Sequence, residues 1–254
     1  MSSIRDSIKA TLKKAGLFGV ALEAVTAWRR LLYNARRGFG RVDRALVRGY
    51  LAAPGPKKLH LGCGPREIGG WLNADLTPAT DTILRLDASR PFCFADDSFD
   101  YVFSEHMIEH IDYGSGAVML AECFRILKPG GRIRISTPDL AKILALYEDD
   151  SEFSSTYMRW YSANLLWPPP PYPDAVFMVN RFLRDWGHQF VYDRSALSVS
   201  MRNAGFVRIA ACELQQSDDP VFRGLEREER MPAGYLRYET FTLEAEKPAT
   251  KTPV

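Results

Sequence analysis

A glycine-bounded turn, a spaced series of acids and four histidines are the parts of this 254-residue chain whose types and spacing could do chemistry. Leu59-His60-Leu61-Gly62-Cys63-Gly64-Pro65 reads as an apolar strand running into a Gly-x-Gly turn. Glycines there let backbone approach a ligand closely, at the carboxyl end of a first strand, where open α/β sheets bind ligands. A dinucleotide loop would want a third glycine where Glu67 stands, which disfavours NAD or FAD. Asp75 follows at the end of a second strand, where a carboxylate can accept both hydroxyls of a ribose. Asp87, with Ala88 after it, ends a third strand, where a side chain can accept from an exocyclic amine; Ser104 ends a fourth. Each alone is an ordinary turn or N-cap residue. Together, after the glycine turn, they favour an adenosine-type ligand.

The histidines are His60, on the glycine-turn strand, and His106, His110 and His188. In His106-Met-Ile-Glu109-His110 a helix would put His106 and His110 on one face, with Glu109 adjacent. The pattern H-x-x-E-H also occurs in metallopeptidases, a reading that leaves the strand-end series unexplained. The plainer expectation is that these residues open the helix after the fourth strand and line a substrate pocket, with no metal. His188 lies in Trp186-Gly-His-Gln-Phe-Val-Tyr192, and its plain role would be to anchor a loop. Histidine is the usual general base near neutral pH, so His188, His110 and His106 are the candidate catalytic residues.

The elements that must hold these residues alternate. Strands are expected over 58–61, 71–75, 83–87, 101–104 and 132–136, and helices over 105–111 and 115–127. A helix over 195–204 ended by Gly205 and strands over 207–212 and 238–246 follow, the last two as an antiparallel pair. That order predicts an α/β fold: a Rossmann-like, mostly parallel sheet with an antiparallel last strand, plus an N-terminal helical arm.

Around this domain, placed at 54–247, composition shifts. Residues 1–50 hold eleven Lys or Arg against three acids, a net +8 in a chain whose total is +2. This basic amphipathic arm, 1–53, is expected to pack on the domain or a second copy, or to lie on an anionic membrane surface. A core that is mildly acidic argues against nucleic acid as a partner. Residues 151–192 hold eleven aromatics in 42 positions and a proline run at 168–171, and read as an insertion covering the active-site mouth. Residues 248–254 read as a loose tail. The four cysteines form no CxxC pair, so a cytoplasmic protein without disulfides is expected. The eight-residue apolar run before Glu23 is too short for a favoured signal peptide.

Taken together, Lys58-Leu-His-Leu-Gly-Cys-Gly-Pro65, Gly70-Trp-Leu-Asn-Ala-Asp75, Ser98-Phe-Asp-Tyr-Val-Phe-Ser104, Glu109-His110 and Leu127-Lys-Pro-Gly-Gly-Arg132 resemble the class I S-adenosylmethionine-dependent methyltransferases. The nearest likeness is to the type 11 group and its bacterial members associated with surface glycans, strong over about 57–140 and loose over 186–246. The resemblance implies S-adenosyl-L-methionine at Gly62, Cys63 and Gly64, ribose on Asp75 with Leu76 beside it, adenine beside Asp87 and Ala88, and methionine near Ser104. It also implies a small-molecule or glycan acceptor, with a sugar hydroxyl preferred to an aromatic or quinone metabolite; a scaffold that has kept the fold is the rival of another class. Two features depart from the family. His60 stands where an acid is frequent, and ten residues between Gly64 and Asp75 leave no room for a full first helix. Some ubiquinone-pathway relatives carry a metal on Glu-x-x-Glu-His here; His106 replaces the first of those acids.

Overall fold

The computed structural model of the chain describes residues 40–249, Trp167 excepted. The amphipathic segment expected from residue 3 to about 35 lies outside the described residues, as does the end of the tail. In chain order the elements are α1 (Arg41–Ala52), β1 (Lys58–Leu61), β2 (Leu72–Asp75), β3 (Leu84–Arg85), β4 (Phe99–Glu105), α2 (Tyr113–Ile126), β5 (Leu127–Pro138), α3 (Leu140–Ala145), α4 (Glu152–Asn164), α5 (Ala175–Arg184), α6 (Arg194–Asn203), β6 (Val207–Cys212), α7 (Tyr235–Glu239) and β7 (Thr240–Glu246). The seven strands form one sheet in the order β3-β2-β1-β4-β5-β7-β6. Strands β1 to β5 pair in parallel, and β7 runs antiparallel to both β5 and β6. This is the α/β arrangement expected from the alternating pattern. Among the described residues no helix is long and apolar enough to cross a membrane.

Strand alternation divides the side chains between two faces. Leu59, Leu61, Leu72, Ala74 and Val102 go to one face, where Met119, Leu120, Cys123 and Ile126 of α2 and Leu197 and Met201 of α6 meet them. Each such side chain is removed from water, a gain of about 1.5–3 kcal/mol for the larger ones. The helices start where an acid can accept from free backbone N–H groups: Asp112 accepts from Ser115 N, Asp193 from Ala196 N, each cap contributing about 1 kcal/mol. On the other face, no helix joins β1 to β2. Trp71 and Phe103 there are covered by Phe222 and Leu225, which come from the long segment between β6 and β7.

That segment is fixed by a buried ion network. Arg134 of β5, 0% exposed, donates from Nε to Glu226 Oε1 (2.6 Å) and from Nη1 to Glu244 Oε1 (2.5 Å) and Gln216 O (2.8 Å). Its Nη2 donates to Glu213 O, while Ser136 Oγ and Gln215 N also donate to Glu226. Burial depresses the Arg134 charge, but the two carboxylates outweigh it and hold the guanidinium protonated.

The aromatic insertion has a core of its own. Tyr157, Tyr161, Met178 and Phe182 of α4 and α5 bury against Ile143 and Leu146, with Tyr235 of α7 closing the cluster. Of the aromatics counted there in the sequence, Tyr157, Tyr161, Phe182 and Tyr192 are buried, whereas Phe153, Tyr172 and Trp186 are exposed.

The strand expected over 83–87 shortens to Leu84–Arg85, which leaves Asp87 beyond its end, and two further expected elements differ. The helix over 105–111 is not formed: β4 runs on to Glu105, which pairs with Ser136, and a single 3-10 turn, Ile108–His110, follows. His106 takes a left-handed φ of +48°, which no helix accommodates. The strand over 238–246 begins at Thr240, because Tyr235 and Leu236 are buried by a helical turn in which Tyr238 N donates to Gly234 O.

Candidate active site

The strand ends build one side of the site. Gly62 and Gly64 both have left-handed φ, +68° and +56°. Cys63 N donates to Ala74 O, so the turn folds back over β2. A Cβ at Gly62 would lie 2.2 Å from Met107 Cγ, so both backbone angle and space require glycine. Gly64 N donates to Asp75 Oδ2 (2.9 Å) and Thr77 N to Asp75 Oδ1 (2.8 Å). Two backbone donors therefore aim the carboxylate before any ligand arrives. Leu76 beside it is 37% exposed. Cys63 is buried, and burial first, then Asp75 and Glu67, push its thiol up to about 12, so it stays protonated.

Asp87 serves its own turn, accepting from Ser89 N and Ser89 Oγ, with Arg90 Nε 3.4 Å from its other oxygen. Ala88 packs against the main core. Ser104, fully buried on β4 beside Leu61, has a hydroxyl with no protein partner. His60 points to the other face: its Nδ1 donates to Asn73 Oδ1 (3.0 Å), its ring stacks on Phe103, and burial pushes it down to about 4. It is a core residue. A glycine cradle, a pre-aimed carboxylate and an orphaned buried hydroxyl fit S-adenosylmethionine, with Gly62, Gly64, Asp75 and Ser104 as the residues that would hold it.

The second side of the site is the turn after β4. His106, Glu109, His110 and His188 converge there, although no helix carries the first three. His106 N donates to Ser136 O, its Nδ1 lies 3.2 Å from Glu109 Oε1, and its Nε2 is 3.0 Å from Thr240 Oγ1. Glu109 is fully buried; Thr137 Oγ1 donates to its Oε2 (3.1 Å), and its Oε1 has no aligned donor. Burial would raise the Glu109 carboxyl, but His106 and His110 outweigh it and hold the group below its ordinary value.

His188 arrives from 78 residues further on and is fastened down. Gln189 N and Phe190 N donate to Glu109 O, and Gln189 Nε2 to His110 O. The His188 and His110 rings sit edge to face, centroids 4.9 Å apart. His188 Nδ1 is 2.6 Å from Phe182 O. A carbonyl can only accept, so Nδ1 carries the proton and Nε2 keeps a free lone pair. Burial also lowers the His188 pKa, which favours the neutral ring. Trp186, 45% exposed at a φ of +57°, lies beside it at 5.5 Å and carries Arg181 on its other contact at 4.6 Å. Met107, pressed on Gly62, ties this cluster to the glycine turn.

Sequence reasoning missed Thr137, Trp186 and Glu239. Glu239 is a second buried acid, bonded by the Tyr157 hydroxyl, whose carboxyl burial holds above its ordinary value. A buried acid amid aromatics was the available signal. The metallopeptidase pattern needs both histidines on one helix face, and that helix is absent.

Residues 59–135 match the family model described as a methyltransferase domain. An uncharacterised 37.1 kDa protein of transposon TN4556 from Streptomyces fradiae is 27% identical over 132 residues, covering 42% of this chain and 37% of its own. This chain thus spans little more than a third of that relative's length. Among solved structures, a SAM-dependent methyltransferase from Thermotoga maritima is 16% identical (TM-score 0.43), covering 87% of this chain and 98% of that one. A phosphoethanolamine N-methyltransferase from Haemonchus contortus, with S-adenosylhomocysteine bound, is also 16% identical (TM-score 0.40), covering 81% and 52%. The match to a methyltransferase domain thus falls on the stretch from β1 into β5 that carries Gly62, Gly64, Asp75 and Ser104.

Proposed function

We propose that the chain methylates a hydroxyl oxygen, and that its acceptor is a sugar in glycan or lipopolysaccharide assembly. The observation that carries this reading is His188: a neutral imidazole whose Nδ1 is taken up by Phe182 O, leaving Nε2 free, with its ring packed between His110 and the half-exposed Trp186. S-adenosylmethionine supplies a methyl group on a positively charged sulfur, so the protein has mainly to align and to handle one proton. Gly62, Gly64 and Asp75 would seat the donor, with Ser104 beneath it; Asp87, if it turns from Ser89, and Ala88 would border the adenine. Trp186 offers a flat apolar surface to a sugar ring. The acceptor hydroxyl would then meet the Glu109–His110–His188 cluster, with His188 taking the proton and His106 steadying Glu109. General-base help of this kind contributes roughly 10²–10⁴-fold.

Small aromatic or quinone acceptors would stack on Trp186 equally well, so the acceptor is tested directly. Protein with methyl-labelled S-adenosylmethionine and surface glycan from a deletion strain should yield a labelled sugar. Label that appears only on aromatic or quinone extracts moves the acceptor. If S-adenosylhomocysteine gives no heat in calorimetry and Asp75→Ala leaves cellular function intact, the chain is a scaffold. The basic segment 1–50 supports a further part of the proposal, a cytoplasmic enzyme held at an anionic inner membrane face. Flotation with anionic but not neutral vesicles, lost at high salt, is the expected result.

A further inference from the structure

We propose that Arg181 and Trp186 form a subsite for an anionic group on the acceptor sugar, a uronic-acid carboxylate or a phosphate ester, held near the hydroxyl that His188 deprotonates. The subsite rests on the sugar acceptor proposed above and narrows it to acidic sugars. Arg181, in the last turn of α5, sits over Trp186, 4.6 Å from the ring centroid. The same ring lies 5.5 Å from the His188 ring and is 45% exposed. Cation and base thus share one tryptophan, and a substituted sugar lying on that ring meets both. The guanidinium is also under-used. Only its Nη1 is taken, by Asp185 four residues on. Its Nε is buried without an acceptor, and Nη2 meets none among the described residues. The buried Tyr161 hydroxyl nearby lacks an aligned partner too. A half-buried cation with idle donors is costly unless an acceptor completes it. A carboxylate or phosphate offers two oxygens at the spacing of the guanidinium fork, which a neutral hydroxyl does not.

Asp185 acts as a stand-in for that anion. Its side chain is 43% exposed, against 18% for Arg181. An ion pair so open to water contributes only about 0–1 kcal/mol, so an incoming anion displaces it at little cost. The turn that carries these residues is held in a strained form. Trp186 takes a φ of +57°, which costs about 1–3 kcal/mol for a residue other than glycine, and His188 N donates to Asp185 O (3.1 Å) across it. The backbone therefore fixes the cation, the tryptophan and the base relative to one another before any acceptor arrives. His188 keeps its role as base, since Arg181 takes the charge and the free Nε2 takes the proton.

The experiment is methyl transfer by the full chain from labelled S-adenosylmethionine onto surface glycan from a deletion strain. The glycan is used untreated, with its carboxylates reduced to alcohols, and with its phosphate esters removed. One of the two treatments should lower kcat/KM at least about tenfold, and which one identifies the anion. Arg181→Gln should lose roughly 10–100-fold on untreated glycan, the worth of hydrogen bonds to a charged group. On the glycan that has lost its anion the same variant should lose nothing further, because both changes remove one interaction. Arg181→Lys, which keeps the charge without the fork, should fall between. Asp185→Asn removes the competitor and should lower KM on untreated glycan about two- to fivefold. S-adenosylhomocysteine affinity, measured in parallel, should stay unchanged in these variants and shows them folded. If both treatments leave kcat/KM unchanged, or Arg181→Gln costs as much on neutral as on untreated glycan, the subsite is overturned and the sugar acceptor stands. Label that enters no glycan fraction, from protein that binds S-adenosylhomocysteine, overturns the sugar acceptor and the subsite together.

Discussion

Arg134 and Glu109 are both buried and both charged, yet their surroundings are built in opposite ways. Arg134 is met by Glu226, Glu244 and two backbone carbonyls, and each of those carboxylates has a further donor of its own. Glu109 shares three imidazoles with only one aligned donor between its two oxygens. The two clusters are separated by the sheet, since Ser136 and Thr137, which touch one each, are neighbours on a strand and point to opposite faces. A saturated network has nothing left to offer a ligand and so acts as scaffold. An under-filled one keeps donors and acceptors in hand, and that is where chemistry is expected.

The comparison predicts that stability and activity respond in opposite order. Arg134→Met should be the most destabilising change, by roughly 3–5 kcal/mol, because it leaves two acids buried without a cation. Urea unfolding measures it; a loss below about 1 kcal/mol would put Arg134 in the same class as Glu109. Gly62→Ala comes next, at roughly 1–3 kcal/mol for the left-handed angle, with the added contact on Met107 shifting the turn. It should also weaken S-adenosylhomocysteine at least about tenfold in calorimetry. Asp75→Ala should lower that affinity by roughly 10–100-fold, the worth of a hydrogen bond to a charged group, and cost roughly 1–2 kcal/mol of stability, because Gly64 N and Thr77 N lose their acceptor. His188→Gln should be the mildest for stability, about 1 kcal/mol for its bond to Phe182. Turnover should nevertheless fall by roughly 10²–10⁴-fold at unchanged S-adenosylhomocysteine affinity. A His188→Gln protein that turns over normally would erase the contrast between the clusters.

What could be read in advance follows the range of the interactions. The strand ends were legible because their signals are local: an apolar run, then Gly62 and Gly64, then acids at the ends of later strands. The His106 segment misled because i, i+4 spacing is a helix signal only if the backbone is helical, and pairing of Glu105 with Ser136 extends the strand instead. His188 was a candidate, but its seat beside Glu109 depends on hydrogen bonds between segments about 80 residues apart. Arg134 reads as an arginine in an apolar strand, its partners lying 92 and 110 residues away. The aromatic insertion was visible as composition, but composition does not say that Tyr157, Tyr161 and Phe182 face inward.

The cover that residues 213–230 lay over β1 and β4 also has a consequence in time. Chains leave the ribosome from the N-terminus, and a domain that finishes early can fold early. Here the strands bearing Gly62, Asp75 and Ser104 emerge with Trp71 and Phe103 still bare and Arg134 still without its acids. Glu244 follows Arg134 by 110 residues, and β7 must slot between β5 and β6 to deliver it. Translation therefore has to pass β7 before the first half of the sheet can close, and a nascent chain stalled after residue 135 would present an unfinished, sticky surface to chaperones.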